Sequence, residues 1–154
     1  NIPFSSSTLQ SNTNLTANLL HHVLTLHNRL TFTNKINLRE LILQELSVAI
    51  DTNTVGSPVE IMLFYEFPLS SLPQPLMFSQ NGSDSFVLYS TQSGQITQGT
   101  NIPIASFFIT GRTSITIYLA KQRIIIPPNA IVSAMVKSTD KITNVGLSLT
   151  YIED

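Results

Sequence analysis

Apolar residues recur at every second position along much of this chain. Val59, Ile61, Leu63, Tyr65 and Phe67 form the longest such run, with Glu60, Met62, Phe64 and Glu66 between them. A period of two places successive side chains on opposite faces of a strand, so 59–67 predicts a strand that buries the first set and turns the second away. The same alternation appears in Leu46, Val48 and Ile50, and in Val145, Leu147, Leu149 and Tyr151. Within 113–120 it predicts Ile115, Ile117 and Leu119 facing inward and Ser114, Thr116 and Tyr118 facing outward. Shorter apolar runs at Phe86–Ser90, Ile104–Thr110, Arg123–Ile126 and Ile131–Lys137 are strand-sized. Turn residues separate them: Asp51–Pro58, Thr91–Asn101 with two glycines, Gly111-Arg112, and Ser138–Lys141. Pro68, Pro73 and Pro75 make Pro68–Gly82 a long connection, because proline cannot donate to a central ladder.

Two segments carry mixed patterns. Leu15, Leu19, Leu20, Val23, Leu24 and Leu26 roughly follow helix spacing, while Leu24, Leu26, Leu30 and Phe32 alternate as in two short strands. The Thr-rich composition of 24–33 favours strand there. Leu38–Glu45 is compatible with a helix, although nothing caps it well. Residues 1–14 hold Ser5, Ser6, Ser7, Thr8, Ser11, Asn12 and Thr13 and few apolar groups, which predicts a flexible, extended N-terminal arm. The remaining residues, 15–154, predict one domain of about eight strands with no βαβ rhythm, an antiparallel β-sandwich.

Composition changes the picture at the surface. Of 154 residues, 42% are hydrophobic, enough to build a core, but 11% are charged, under half the ~25% usual in soluble domains. Ser, Thr, Asn and Gln take their place. Such a surface suits packing against copies of the same chain, or against sugars, since it lacks the repulsion that keeps monomers apart. The net charge of −1 excludes a generic nucleic-acid binder acting through a basic patch. No stretch reaches the ~18 apolar residues of a membrane-spanning helix. The absence of Cys excludes a disulfide scaffold, a thiolate metal site and a cysteine nucleophile.

The last third runs from a strand at 113–120 into Arg123-Ile124-Ile125-Ile126-Pro127-Pro128-Asn129-Ala130, then into strands at 131–137 and 145–151. A strand that enters a Pro-Pro-Asn corner and leaves as a new strand resembles the corners of viral jelly-roll capsid proteins. The neutral, Asn- and Thr-rich surface and the polar arm are similar to such proteins too. The resemblance implies a jelly-roll fold and a structural subunit of a virus or phage particle, located in the virion. Such subunits form closed symmetric homo-oligomers and touch other particle proteins. The alternative is a secreted carbohydrate- or receptor-binding β-sandwich module, with a host-surface glycan or receptor bound in 68–82 or 91–101.

Candidate chemistry is sparse, and neither catalytic, cofactor-binding nor metal-ligating residues are predicted. His21, His22 and His27 lack a carboxylate anywhere before Glu40, and His21 and His22 face opposite ways on a strand, so they predict solvated or interface histidines. Glu60 and Glu66 share a strand face, but six residues separate them by ~20 Å, too far for a glycosidase pair. Asp51-Thr52-Asn53 opens like a calcium loop, but Val55 and Met62 stand where ligands would be required. No G-x-S-x-G elbow and no phosphate-binding P-loop occurs. Asn14-Leu15-Thr16 and Asn81-Gly82-Ser83 match the glycosylation pattern, though Asn81-Gly82 reads more simply as a turn. Tyr65, Tyr89, Tyr118 and Tyr151 are candidate sugar platforms, Tyr118 being the one expected to face outward.

Overall fold

Strand content follows the alternating runs and extends beyond them into both polar and ambiguous stretches. The computed structural model describes residues 5–51, 58–82, 85–96, 101–110, 114–139 and 142–154. In chain order the strands are β1 (Ser5–Leu15), β2 (His21–Asn28), β3 (Thr31–Phe32), β4 (Lys35–Ile36), β5 (Leu41–Asp51), β6 (Pro58–Tyr65) and β7 (Ser79–Gln80). They continue with β8 (Val87–Ser90), β9 (Gly94–Gln95), β10 (Ala105–Thr110), β11 (Ser114–Tyr118), β12 (Ile125–Ile126), β13 (Ile131–Ser138) and β14 (Ile142–Glu153). Two short 3₁₀ turns, Leu69–Ser71 and Ala120–Gln122, are the described helical pieces.

The long strands pair as nested antiparallel rungs: β1 with β14, β2 with β13, β5 with β11, and β6 with β10. The chain is therefore one long hairpin folded between β6 and β10. Two more pairings, β14 with β5 and β13 with β6, roll that hairpin into two sheets. Sheet one has the order β1-β14-β5-β11, and sheet two β10-β6-β13-β2, extended by β8 and β7. Eight strands wound in this order constitute a jelly roll, two Greek keys wrapped around one core. The Pro127-Pro128-Asn129 corner performs the turn expected of it. β12 pairs with β5 in sheet one, Asn129 takes a positive φ of 74°, and β13 emerges in sheet two.

Leu46, Val48, Ile61, Leu63, Leu147, Leu149 and Tyr151 fill the space between the sheets, each at most 1–2% exposed. A second apolar cluster lies on the outer face of sheet two. There Met62, Phe64 and Met135 are covered by Phe67, Leu72 and Ile96 from the connecting segments. The long connection 68–82 thus roofs the sheet, and Met62 and Phe64 point away from the main core without reaching water.

Several expectations are corrected. The segment 5–14 is not a flexible arm. It runs in register along β14, from Ser5 opposite Glu153 to Thr13 opposite Val145. Leu9, Ser11, Thr13 and Leu15 are buried, and Thr8, Gln10, Asn12 and Asn14 are exposed. The period of two is present, but hydroxyls occupy two inward positions, where the Ser11 hydroxyl donates to the Val23 carbonyl at 2.8 Å. Residues 1–4 lie outside the described residues. Helix is absent from 15–30 and 38–45, where β2 and β5 alternate with one extra residue each. The predicted strand 59–67 stops at Tyr65, because Glu66 adopts a positive φ of 57°. Phe67 therefore joins the outer cluster, 5.3 Å from the Phe64 ring, and Tyr65 is partly exposed at the sandwich end. Ile115, expected inside, is also partly exposed, because it lies on β11 at the margin of its sheet. Residues 52–57 and the Gly111-Arg112 turn lie outside the described residues.

Candidate functional site

Three surfaces carry the chemistry: the open face of sheet one, the interior beneath the 91–96 segment, and the end of the sandwich where β2 leaves sheet two.

On the open face of sheet one, cross-strand register aligns side chains in rows. Thr8, Thr150, Glu45 and Tyr118 form one row, Gln10, Ser148, Ser47 and Thr116 the next, and Asn12, Gly146, Ala49 and Ser114 the third. Glu45 is the single carboxylate among these twelve positions. The hydroxyls of Thr8 and Thr150 lie 2.9 Å apart, and those of Ser47 and Thr116 lie 3.2 Å apart. A shallow groove of about 200 Å³ runs over Gly146 and Ala49 between Asn12 and Ser114. Tyr118 stands exposed at one corner, as expected from the alternation.

His21 and His22 are buried, which corrects the expectation of solvated histidines for these two, whereas His27 is half-buried. Burial of both sides of sheet two accounts for this. His21 is opposite Val136 and His22 opposite Met135, so the two rings do face opposite ways. His21 Nδ1 lies 3.0 Å from the Leu19 carbonyl, and the Thr16 amide donates to its Nε2. His22 is fully buried. Its Nδ1–H donates to the Gln92 carbonyl at 2.5 Å, because a carbonyl can only accept. Nε2 then accepts from the Thr25 hydroxyl at 2.6 Å, and Thr25 Oγ1 accepts from the Ser133 hydroxyl at 2.7 Å. Burial holds His22 below the usual histidine pKa, partly offset by the Gln92 hydrogen bond. His27 is lowered as well, first by burial, against the raising effects of Asn129 and Glu66, while Arg29 adds to the lowering. Among the described residues no three His, Asp or Glu side chains converge on a metal position.

At the end of the sandwich β3 and β4 form a two-residue hairpin, with Thr33 and Asn34 both at positive φ. Buried Asn28 and Asn37 anchor it. The Asn28 amide donates to the Arg39 and Ile126 carbonyls, and the Asn37 amide donates to Asn28 Oδ1 at 2.6 Å and to the Arg29 carbonyl. Arg29 donates to the Ser85 and Phe86 carbonyls and lies over the Phe32 ring, 4.3 Å from its centroid. Between the hairpin and Phe86 lies a cleft of about 420 Å³ lined by Phe32, Lys35, Ile36, Leu38 and Arg39. Sequence reasoning passed over this end. The available signal was the Asn-rich 28–37 interval between two strands.

The other predicted residues scatter. Glu60 accepts from the Ser106 hydroxyl at 2.7 Å. Glu66 sits in the turn beyond β6, so the two carboxylates do not share a strand face. Asp51 ends β5, and the rest of the calcium-like loop lies outside the described residues. Asn14 is exposed near the end of β1. Asn81 is in a turn, as expected, and its amide donates to the Tyr151 hydroxyl at 2.5 Å. Tyr151 is buried, which pushes its phenol above the usual value, with the Asn81 and Ser7 hydrogen bonds acting against that. Tyr89 packs against the main core, so neither of these two can serve as a sugar platform.

No protein-family model matches the sequence, and no curated protein matches it. One solved structure, the decameric BFDV capsid protein, aligns over 97% of this chain and 98% of that chain, at 8% identity and a TM-score of 0.18. A score that low does not place two folds together, so the fold assignment rests on the strand order alone. No helix among the described residues is long and apolar enough to cross a membrane.

Proposed function

We propose that this chain is a non-enzymatic structural subunit of a virus or phage particle, acting through symmetric self-assembly. The observation that carries the reading is the rolled hairpin, with its sheet orders β1-β14-β5-β11 and β10-β6-β13-β2. Such a sandwich is a rigid block whose corners and flanks are free to contact neighbours. The surface supports the same reading. With 11% charged residues and large aliphatic side chains exposed at Ile36, Leu38 and Ile102, it favours association over isolation. Electron microscopy of the concentrated protein in negative stain tests the proposal. Closed rings or shells of uniform size are expected, and a field of dispersed particles the size of single subunits would overturn it.

A second reading has its own observation. The neutral hydroxyl and amide rows beside exposed Tyr118 suit an uncharged sugar, which stacks on an aromatic ring and exchanges hydrogen bonds with such groups. Binding on a glycan array that is lost in Tyr118→Ala would favour that module role.

A further inference from the structure

His22 is a titratable side chain closed off from water on the outer face of sheet two. On that face β2 supplies Thr25, β13 supplies Ser133 and Met135, β6 supplies Met62 and Phe64, and β8 supplies Ser90. Phe67, Leu72 and Ile96 cover them from the connecting segments. None of these side chains carries a charge, and segments 67–76 and 91–96 contain no Asp, Glu, Lys, Arg or His. Among the described residues, the charged and titratable groups of this face stand at its two ends. Glu60 and Lys137 are opposite each other, two residues beyond Met62 and Met135, and Glu60 accepts from the Ser106 hydroxyl. His27 lies at the other end, under the influence of Glu66 and Arg29.

Both ring nitrogens of His22 are committed in the neutral form. Nδ1–H donates to the Gln92 carbonyl, and Nε2 accepts from Thr25, whose oxygen accepts from Ser133. A second ring proton would sit on Nε2 and meet the Thr25 hydroxyl proton. To admit it both hydroxyls must turn, and Ser133 then loses Thr25 as its acceptor. No carboxylate stands in this row to balance the charge, so a charged imidazolium there needs water. What covers the ring sets the route. On its Nδ1 side lies the 91–96 segment, which is lightly held. β9 pairs with β2 over two residues, and the Ile96 amide donates to the Leu20 carbonyl at 2.8 Å. The side chains of Ser93 and Gln95 bond to those of Thr13 and Thr16. By contrast β2 and β13 are eight-residue strands paired along their length inside sheet two. Local opening takes the weakly held piece first.

We propose that the 91–96 segment is an acid-opened strap, lifted from the outer face of sheet two when His22 takes up a proton while the two sheets stay paired. Closed, the strap seats Gly94 against the Pro73 ring, where a side chain would not fit, and puts Ile96 into the outer cluster. Open, it lets water reach His22 and uncovers Met135, the residue opposite it. The sign follows from linkage. In the closed form burial holds the ring below its ordinary value, so the closed form refuses the proton that the open, hydrated ring accepts. Acid therefore favours the open form. Between the open and the closed pKa values, each pH unit downward multiplies the ratio of open to closed strap by up to about tenfold.

The test follows the methionine methyl groups of the full chain by NMR, labelled with ¹³C. There are three methionines. Met62 and Met135 lie in the outer cluster, and Met77, 71% exposed, is the reference. A water-soluble gadolinium chelate broadens the methyls that solvent reaches, and spectra are taken from pH 7.5 to pH 5. Met77 is expected to broaden throughout. Met135 is expected to be spared at pH 7.5 and to broaden progressively below about pH 6.5, with far-UV circular dichroism unchanged. His22→Gln is expected to abolish that step and His27→Gln to leave it in place. Gly94→Ala, which crowds Pro73, is expected to move the step to higher pH, and it decides the question if the His22 variant does not fold. A Met135 methyl that stays spared until the β-sheet signal itself is lost would overturn the inference. So would an acid step that persists in His22→Gln or stays unmoved in Gly94→Ala.

Discussion

His22 Nε2 accepts a hydrogen bond from Thr25 Oγ1 at 2.6 Å, although the two residues lie three apart on one strand. In a regular strand they would face opposite sides of the sheet. The register supplies the reason. Ala134 is opposite Leu24 and Met135 is opposite His22, which leaves Val23 as an extra residue in β2. That bulge returns His22 to the face occupied by Thr25 and Ser133. The three side chains form a hydrogen-bonded row that ends on the Gln92 carbonyl and ties the 91–96 segment to the sheet.

Stability should therefore fall in mild acid. The folded pKa of His22 is lowered from 6.5, so below that pH the unfolded chain binds a proton that the native chain refuses. The stabilisation is complete above about pH 6.5 and is lost as pH drops towards the folded value, with a slope of at most about 1.4 kcal/mol per pH unit for one histidine. The lowered pKa of His27 acts in the same direction. Urea unfolding at pH 7.5 and pH 5.5 reads the difference, and His22→Gln is expected to reduce it.

Removing residues 1–15 should abolish folding and not merely loosen contacts between subunits. The deletion strips a whole strand from β14 and takes away buried Leu9 and Leu15. Losing two buried leucines alone costs about 4–10 kcal/mol, comparable to the whole stability of a domain. Loss of the β-sheet signal in circular dichroism is the expected outcome, whereas a soluble, folded fragment would show that β1 is dispensable.

This is also where the sequence was hardest to read. The strands at 46–50, 59–65, 131–137 and 145–151 were legible because branched and large apolar residues mark every inward position but Ala134. β1 alternates as faithfully, but Ser11 and Thr13 occupy inward positions and mask the pattern. β2 and β5 each contain an extra residue, at Val23 and Gln44, which breaks the period of two and makes helix and strand look alike. The Pro-Pro-Asn corner was visible, since proline and a left-handed Asn are local chemistry. The hairpin patch was not, because exposure depends on what packs nearby and cannot be seen in Ile36 and Leu38 themselves.

Asn28→Ala should be among the costly polar substitutions. The change removes the donor to the Arg39 and Ile126 carbonyls and the acceptor for Asn37, all at a buried corner. Three such bonds at about 1 kcal/mol each suggest a loss of roughly 3 kcal/mol. Chemical denaturation checks the value, and a loss under 0.5 kcal/mol would mean that the corner is not held as described.

Two glycines should answer differently to alanine. A Cβ on Gly94 would lie 2.8 Å from both Cβ and Cγ of Pro73, a rigid ring in the segment that roofs sheet two. Gly94→Ala is expected to cost about 1–3 kcal/mol as that roof shifts. A Cβ on Gly146 would meet Asn12 Oδ1 at 2.8 Å, the tip of an exposed side chain that can rotate away. Thermal melts should show Gly146→Ala close to wild type and Gly94→Ala clearly lower.

The central claim, that this jelly roll is built to associate with its own copies, is tested most directly by its mass in solution. Light scattering behind a sizing column, at two concentrations, should give one discrete multiple of 17.0 kDa, such as a trimer, pentamer or hexamer. A mass of 17.0 kDa under both conditions would contradict the claim.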